Sequence, residues 1–180
     1  MDGGKLLVLS DTHGDVRALK AVLDWAKDML QGGAISTAVF LGDGADDLYP
    51  AVDGAGFFCE WKLVRGNNDF EFSIPEASVL DFGGKRFFLC HGHRYALHNG
   101  YHTLIAAARS RGVDAALFGH THVPYCKNMG GIELINPGSI GRPRSRFGAS
   151  FAVIECAPGK PIKTEFWGIG PQGKIHGLEA

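Results

Sequence analysis

Apolar residues fall along the chain in short runs separated by glycine-containing breaks, the pattern of many small elements joined by tight loops. Lys5–Leu9, with four consecutive apolar residues, reads as a buried strand. From about Asp15 to Leu30, Leu19, Val22, Leu23, Ala26 and Leu30 recur at helical spacing, with Asp15 as N-cap and Gly32-Gly33 as the stop. Thr37–Leu41 is a second strand ending in Gly42-Asp43, and Glu60–Val64 a third ending in Arg65-Gly66-Asn67. This βαβ opening predicts parallel strands. Val79–Phe82 and Lys85–Cys90 flank Gly83-Gly84 as a hairpin. A second helix is expected from roughly His98 to Arg111, with Leu97, Tyr101, Leu104, Ile105 and Ala108 on its apolar face and Gly112 beyond it. Ala115–Phe118 is a strand. Tyr125–Asn128 and Ile132–Ile135 form a hairpin across Met129-Gly130-Gly131, and Phe151–Glu155 and Ile162–Trp167 supply the last strands. Helices early and hairpins late predict an α/β fold, two facing sheets with helices outside.

Composition narrows the class. The 180 residues suit one domain, 1–180, with a real core, and show no repeat, low-complexity tract or linker. Eighteen Lys+Arg against nineteen Asp+Glu leave a formal charge of −1, so no broad basic field exists for a nucleic acid polymer or an anionic membrane. A small anionic substrate held by metals is compatible with that balance. The four cysteines, Cys59, Cys90, Cys126 and Cys156, form no C-x-x-C pair and read as reduced thiols of a cytoplasmic protein, with Cys90 and Cys156 in the core. The N-terminal MDGGKLLVLSDTHGD has too short an apolar run for a signal segment or a membrane span.

The candidate chemistry recurs at one kind of place, the loop just after a strand. Asp11-x-His13 follows the first strand, Gly42-Asp43 the second, Gly66-Asn67-Asn68-Asp69 the third, His91-Gly92-His93 the hairpin, and Gly119-His120-Thr121-His122 the strand at 115–118. Sites of open α/β sheets form outside the carboxyl ends of strands, so these loops are expected to converge. Alone, Asp-x-His or Gly-Asp is a common turn and His-x-His a surface pair; together, each after a strand, they point to a metal centre. Carboxylate plus imidazole suits Mn²⁺, Fe or Zn²⁺ better than Ca²⁺. Asp11, His13, Asp43, Asn67, His91, His120 and His122 exceed what one ion needs. Two cations about 3.5–4 Å apart, one carboxylate bridging, can clamp an in-line displacement at phosphorus and ionise a shared water near neutrality.

The ordered series D-x-H, G-D, G-N-x-D, H-G-H and G-H-x-H, from Asp11 to about Gly141, resembles the calcineurin-like metallophosphoesterase superfamily. The short chain, the CHGH at 90–93 and the NPGS of Asn136–Ser139 resemble its small prokaryotic phosphodiesterase branch. That resemblance implies a four-layer αββα sandwich of two facing mixed sheets flanked by helices. It implies one metal on Asp11, His13, Asp43 and His122, and a second on Asp43, Asn67, His91 and His120, with Asp43 bridging. The metals it implies are Mn²⁺, the first choice, or Fe, Zn²⁺ or Ni²⁺. Many members of the family carry G-N-H-[DE], whose histidine binds phosphate and protonates the leaving group. Asn68 stands at that position here.

The remaining polar residues divide. His93 is a candidate donor to a phosphoryl oxygen, or equally a structural residue. Asn67 and Arg142 are candidate substrate contacts, and Arg65 a candidate assistant. Arg144 and Arg146 read as solvated loop. Asp69 is expected to orient a ligand by hydrogen bonding. Asp46 and Asp47 read as loop residues near the site. His98, His102 and His176 read as surface or packing residues, and Trp25, Trp61 and Trp167 as core or interface residues. The favoured function is metal-dependent hydrolysis of a phosphodiester, less so a monoester, by a hydroxide shared between two metals. The partner is a small phosphoester substrate, and a homo-oligomer is compatible with the sequence. The alternative is a catalytically weak or inactive protein of the same fold serving as a protein–protein interaction scaffold, as a eukaryotic retromer subunit does. A complete set of ligand positions favours the enzyme.

Overall fold

A computed structural model describes residues 3–179, so Met1 and Asp2 of the N-terminal segment considered above, and Ala180, lie outside it. Two mixed sheets face each other. The first has the order β11(Ile175–Leu178), β10(Lys163–Ile169), β9(Ala149–Cys156), β1(Gly4–Leu9), β2(Ile35–Phe40), β3(Glu60–Leu63). The second has the order β4(Ala77–Phe82), β5(Lys85–Cys90), β6(Ala115–Phe118), β8(Ile132–Pro137), β7(Pro124–Met129). Strands β1, β2 and β3 are parallel to one another, as are β5, β6 and β8. Strands β4, β7, β9, β10 and β11 join their neighbours antiparallel.

Strand alternation explains the layers. In β1, Leu7 and Leu9 face α1(Val16–Gln31) and α2(Ala45–Ala55), while Leu6 and Val8 face the second sheet. In β5, Phe87 and Leu89 pack between the sheets, and Phe88 and Cys90 pack on α3(His102–Arg109). These strands are buried on both faces, which is why they read as continuous apolar runs rather than alternating ones. The result is the four-layer αββα sandwich. Each layer boundary is dry: Leu6, Leu7, Val8, Leu9, Phe87, Phe88 and Leu89 have no exposed surface.

Helix α1 starts where expected. The Asp15 Oδ1 accepts from the Ala18 amide at 2.9 Å, and Gly32 closes the far end. Three elements depart from the sequence reading. Asp46 and Asp47 lie in the first turn of α2, not in a loop. Pro50 inside that helix and the absence of a local side-chain cap concealed it. Helix α3 begins at His102 rather than near His98. Residues Leu97–Asn99 form a 3₁₀ turn instead, and Gly100, at φ +96°, breaks the chain between them. His176 sits exposed on an edge strand, β11, that the sequence reading did not include.

Trp25 packs edge-on against Phe151 and 4.6 Å from the Trp167 ring, so both tryptophans belong to the helix-side core. Cys90 and Cys156 are buried, and all four cysteines are free thiols. Among the described residues no helix is long and apolar enough to cross a membrane.

Candidate metal centre

The loops after β1, β2, β5 and β6 meet at one end of the two sheets. Their backbones are unusual. Asp11, His13, Asp43, His120 and His122 all have positive φ, between 45° and 68°. Among the described residues only Ala96 and Gln172 share that property without being glycine. Left-handed backbone at such residues costs about 1 kcal/mol or more each and persists where its surroundings over-determine it. Here they do. Asp11 donates its amide to the Gly42 carbonyl and His13 its amide to the Asp43 carbonyl, tying the first two loops together. Glycine is needed at two contacts: a Cβ at Gly66 would collide with the Asp43 carboxylate, and one at Gly119 with Ser10 and Asp11.

The side chains converge. Asp11 Oδ1 is 3.1 Å from His122 Nε2, 3.6 Å from His13 Nε2 and 3.9 Å from His91 Nε2. Asp43 Oδ2 is 3.4 Å from His91 Nε2 and 3.7 Å from His13 Nε2, so one oxygen faces a histidine of each proposed set. Two groups of ligand atoms lie within 4.8 Å of one another: Asp11, His13 and His122, and Asp11, Asp43 and His91. Asp11 and His91 are fully buried, and Asp43 and His122 nearly so.

Tautomers are fixed by what the other ring nitrogen touches. His91 Nδ1 lies 2.7 Å from the Leu41 carbonyl, and His122 Nδ1 lies 2.6 Å from the Arg142 carbonyl. A carbonyl can only accept, so both Nδ1 atoms carry hydrogen, and each ring, when neutral, turns the lone pair of Nε2 into the site. His122 Nε2 then lies 3.2 Å from His13 Nε2 and faces the Asp11 carboxylate. Lone pairs and carboxylate oxygens crowded this closely require positive charge between them. The buried Asp11 Oδ1 and His91 Nε2, which have no hydrogen-bond partner, demand the same. The donor set therefore fits a divalent transition metal.

The electrostatics agree. Burial pushes the Asp11 carboxyl up, but His122, His13, His91 and the Ser10 hydroxyl outweigh it and hold it well below the usual carboxylate range. Burial likewise opposes ionisation of Asp43, yet His91 and the two Asn68 donors bring it down to about 2. Burial pulls His91 down, and Asp43 and Asp11 more than reverse it. His93 and His120 are both lowered, first by burial and next by the charge of His91.

A surrounding shell aims these groups. Asp69 accepts four backbone N–H bonds, from Asp43, Gly44, Ala45 and Gly66, at 2.8–2.9 Å. It thus orients the Asp43 loop, as expected, and also caps α2. Asp47 accepts from the Thr12 hydroxyl at 2.5 Å and the Gly14 amide at 2.8 Å, pinning the Asp11-x-His13 turn. Ser10 Oγ donates to Asp11 Oδ2, and the His120 amide donates to the same oxygen. Within Asn136–Ser139, Asn136 Nδ2 donates to the Gly119 carbonyl, and Ser139 Oγ donates to the Asp11 carbonyl while accepting from the Arg142 amide. Sequence reasoning missed Ser10, Thr12 and Asp47. The Asp46-Asp47 pair, beginning three residues after the glycine-flanked Asp43, was the available signal for Asp47.

The other candidates are placed as follows. His120 stacks edge-on against His91, with ring centroids 5.1 Å apart. Asn67 and Asn68 are both exposed, and Asn68 is the asparagine that reaches Asp43: its Nδ2 donates to Oδ2 at 2.6 Å and its amide to Oδ1 at 2.8 Å. His93 lies beside the centre, 5.5 Å from the His91 ring. The Arg142 side chain is exposed, and its carbonyl is what touches His122. Arg144 and Arg146 are exposed, as are His98, His102 and His176.

A two-sheet sandwich with Asp and His side chains gathered at strand ends is an arrangement that suits a metallophosphoesterase-type protein. Residues 5–159 match the model of the calcineurin-like phosphoesterase superfamily domain, and the chain belongs to that family. It is similar to the phosphodiesterase YfcE of Escherichia coli, 30% identical over 172 residues that cover 84% of this chain and 87% of that one. It is also similar to the crystal structure of a predicted phosphoesterase from Streptococcus pneumoniae, with TM-score 0.76, 26% identity and 99% of each chain covered. Vps29 of Entamoeba histolytica, solved in complex with Zn²⁺, shares the fold at 23% identity and TM-score 0.75, over 97% of each chain.

Proposed function

We propose that this protein is a dinuclear metal-dependent phosphodiesterase. The observation that carries the reading is the pair of buried, unpartnered atoms Asp11 Oδ1 and His91 Nε2 at the meeting point of four strand ends. Asp11, His13 and His122 would hold one cation, and His91 and His120 the other, with Asp43 between them; Asn67, exposed on the adjoining turn, would be the further ligand that the resemblance assigns to the second cation. When bound, two divalent cations, Mn²⁺ foremost, would supply Lewis acidity at the phosphoryl oxygens and acidify water so that hydroxide is available as nucleophile. The chain's own residues do the rest. Leu41 and Arg142 carbonyls fix the His91 and His122 tautomers. Asp47, Asp69 and Ser139 hold the left-handed ligand backbones so that no reorganisation is needed on substrate arrival. Asn68, engaged on Asp43, positions that carboxylate. His93, 5.5 Å from the His91 ring, would be the donor to a phosphoryl or leaving-group oxygen.

The likeness to YfcE supports a diester substrate. An interaction scaffold on the same fold is the competing reading, and the filled set of seven ligand positions argues against it. A screen of phosphodiesters and monoesters with chelated and Mn²⁺-reconstituted protein tests the proposal. Hydrolysis of aryl phosphodiesters that chelation abolishes and Mn²⁺ restores is the expected result; inactivity on every ester after reconstitution would leave the scaffold.

A further inference from the structure

A second cluster of charge adjoins the metal centre. Ala77 of β4 is paired with Cys90 of β5, so Glu76 stands abreast of His91 at the end of the second sheet. Glu76 Oε1 accepts from Arg65 Nη2 at 2.8 Å and from Arg94 Nη2 at 2.6 Å. Arg65 comes from the end of the first sheet and donates its amide to the Pro75 carbonyl, so the junction is anchored from both sheets. Beside it opens a cavity of about 220 Å³, lined by Glu76, Gly92, His93, Arg94, Tyr95 and Arg111 among others. One wall is a ligand's neighbour, Gly92, and another the His93 ring next to His91.

Charge in this cavity is unbalanced. Its lining holds two guanidinium groups, those of Arg94 and Arg111, and one carboxylate, Glu76, which also pairs with Arg65 beside the cavity. The arginines are held in place: Arg65 lies 4.6 Å over the Phe72 ring, and Arg111 lies 4.5 Å over Phe88 and donates to the Ala107 carbonyl. Two buried nitrogens, Arg65 Nη1 and His93 Nδ1, have no hydrogen-bond partner. The segment forming the outer wall turns sharply: Gly92 at φ +113° and Ala96, a non-glycine at φ +47°, bracket the short turn His93–Tyr95. Two guanidinium groups against one carboxylate in the lining, with the unpartnered His93 Nδ1 beside them, suit an anion.

We propose that this cavity is a leaving-group subsite that binds a second anionic group of the substrate, a carboxylate or a phosphate, on the far side of the scissile phosphoryl group. Arg94 supplies the main contact, and Glu76 tempers it by holding Arg65 and Arg94 in place. The inference rests on the metal-dependent reading of the adjoining centre. It makes the protein selective for doubly anionic phosphoesters over those with neutral leaving groups.

Non-hydrolysable probes test it by calorimetry on the Mn²⁺-reconstituted protein: phenylphosphonate, p-carboxyphenylphosphonate and p-phenylenediphosphonate. At least one doubly anionic probe is expected to bind about tenfold tighter than phenylphosphonate, the size of one charge-assisted contact. The probe that gains identifies the anion as carboxylate or phosphate. Arg94→Gln, at a side chain 63% exposed and so safe for folding, should reduce that ratio to about twofold or less. Glu76→Gln should raise the ratio several-fold, because it removes the competing carboxylate; a merely structural role would lower it. Equal affinities for all three probes, or a ratio untouched by both substitutions, would overturn the subsite alone. Phenylphosphonate binding that ignores the metal would overturn the metal reading and leave the ratio test standing. No binding of any probe would overturn both.

Discussion

Replacing Asp69 by asparagine changes one oxygen to an amide nitrogen and keeps the shape. In the wild type, Oδ1 accepts from the Gly44 and Ala45 amides and Oδ2 from the Asp43 and Gly66 amides. Asparagine presents an acceptor to one pair only, and its NH₂ faces two N–H groups from the other. Two charge-assisted bonds are lost, at about 1.5–3 kcal/mol each where fully desolvated. Asp69 is half-buried, so water recovers part of that, and a net loss of about 2–3 kcal/mol is expected. A chain of this size loses about 2–4 °C of Tm per kcal/mol, so Tm should fall by about 5–10 °C in the metal-free protein. The same bonds hold Asp43 at φ +60°, so metal affinity should fall as well, by about tenfold or more. Thermal unfolding and calorimetric Mn²⁺ titration read the two effects. A Tm within 2 °C of wild type, about the scatter of a surface change, together with unchanged metal affinity, would refute the claim that Asp69 organises the Asp43 loop.

Further outcomes are expected. Asp43→Ala should be among the most damaging ligand changes, lowering metal content at both positions and turnover together; near-normal values of either would remove Asp43 from the bridging role. Because Asn68 cannot give up a proton at neutral pH, turnover should depend strongly on leaving-group pKa, with aryl diesters much faster than alkyl. A flat dependence in wild type that turns steep in His93→Ala would identify His93 as the acid, and Asn68→His should help alkyl esters more than aryl ones. Metal affinity should fall on acidification near neutrality. The carboxyls of Asp11 and Asp43 are depressed and stay ionised down to about pH 2, whereas His91 is raised above 6.5, so protons compete with metal first at the histidine. An affinity flat from pH 8 to pH 5 that collapses only in the carboxylate range would contradict this.

Much of this arrangement was legible because the apolar runs are short and end at polar residues of distinctive type. Leu6–Leu9 runs straight into Ser10-Asp11, and Ala115–Phe118 into Gly119-His120, so strand ends and candidate ligands could be read together. The β4–β5 hairpin followed from Gly83-Gly84. Helix α2 was not legible for a specific reason. Its N-terminal amides are satisfied by Asp69, 24 residues after Ala45, and no local cap marks its start. Pro50 and Gly54 in its sequence argued for a loop, and burial of Leu48, Ala51 and Ala55 against α1 and the first sheet overrode them. Which of two adjacent asparagines meets Asp43 was equally hidden, since it depends on the left-handed turns that follow the strands.

Hydrolysis should depend on two divalent cations held by these converged side chains. Protein stripped of metal and verified as such, then titrated with Mn²⁺ while bis(p-nitrophenyl) phosphate turnover is followed, tests it most directly. No turnover is expected at the start, and full turnover only as the bound ratio approaches two per chain. Full turnover in the metal-free sample, or saturation with no turnover at any ratio, would contradict it.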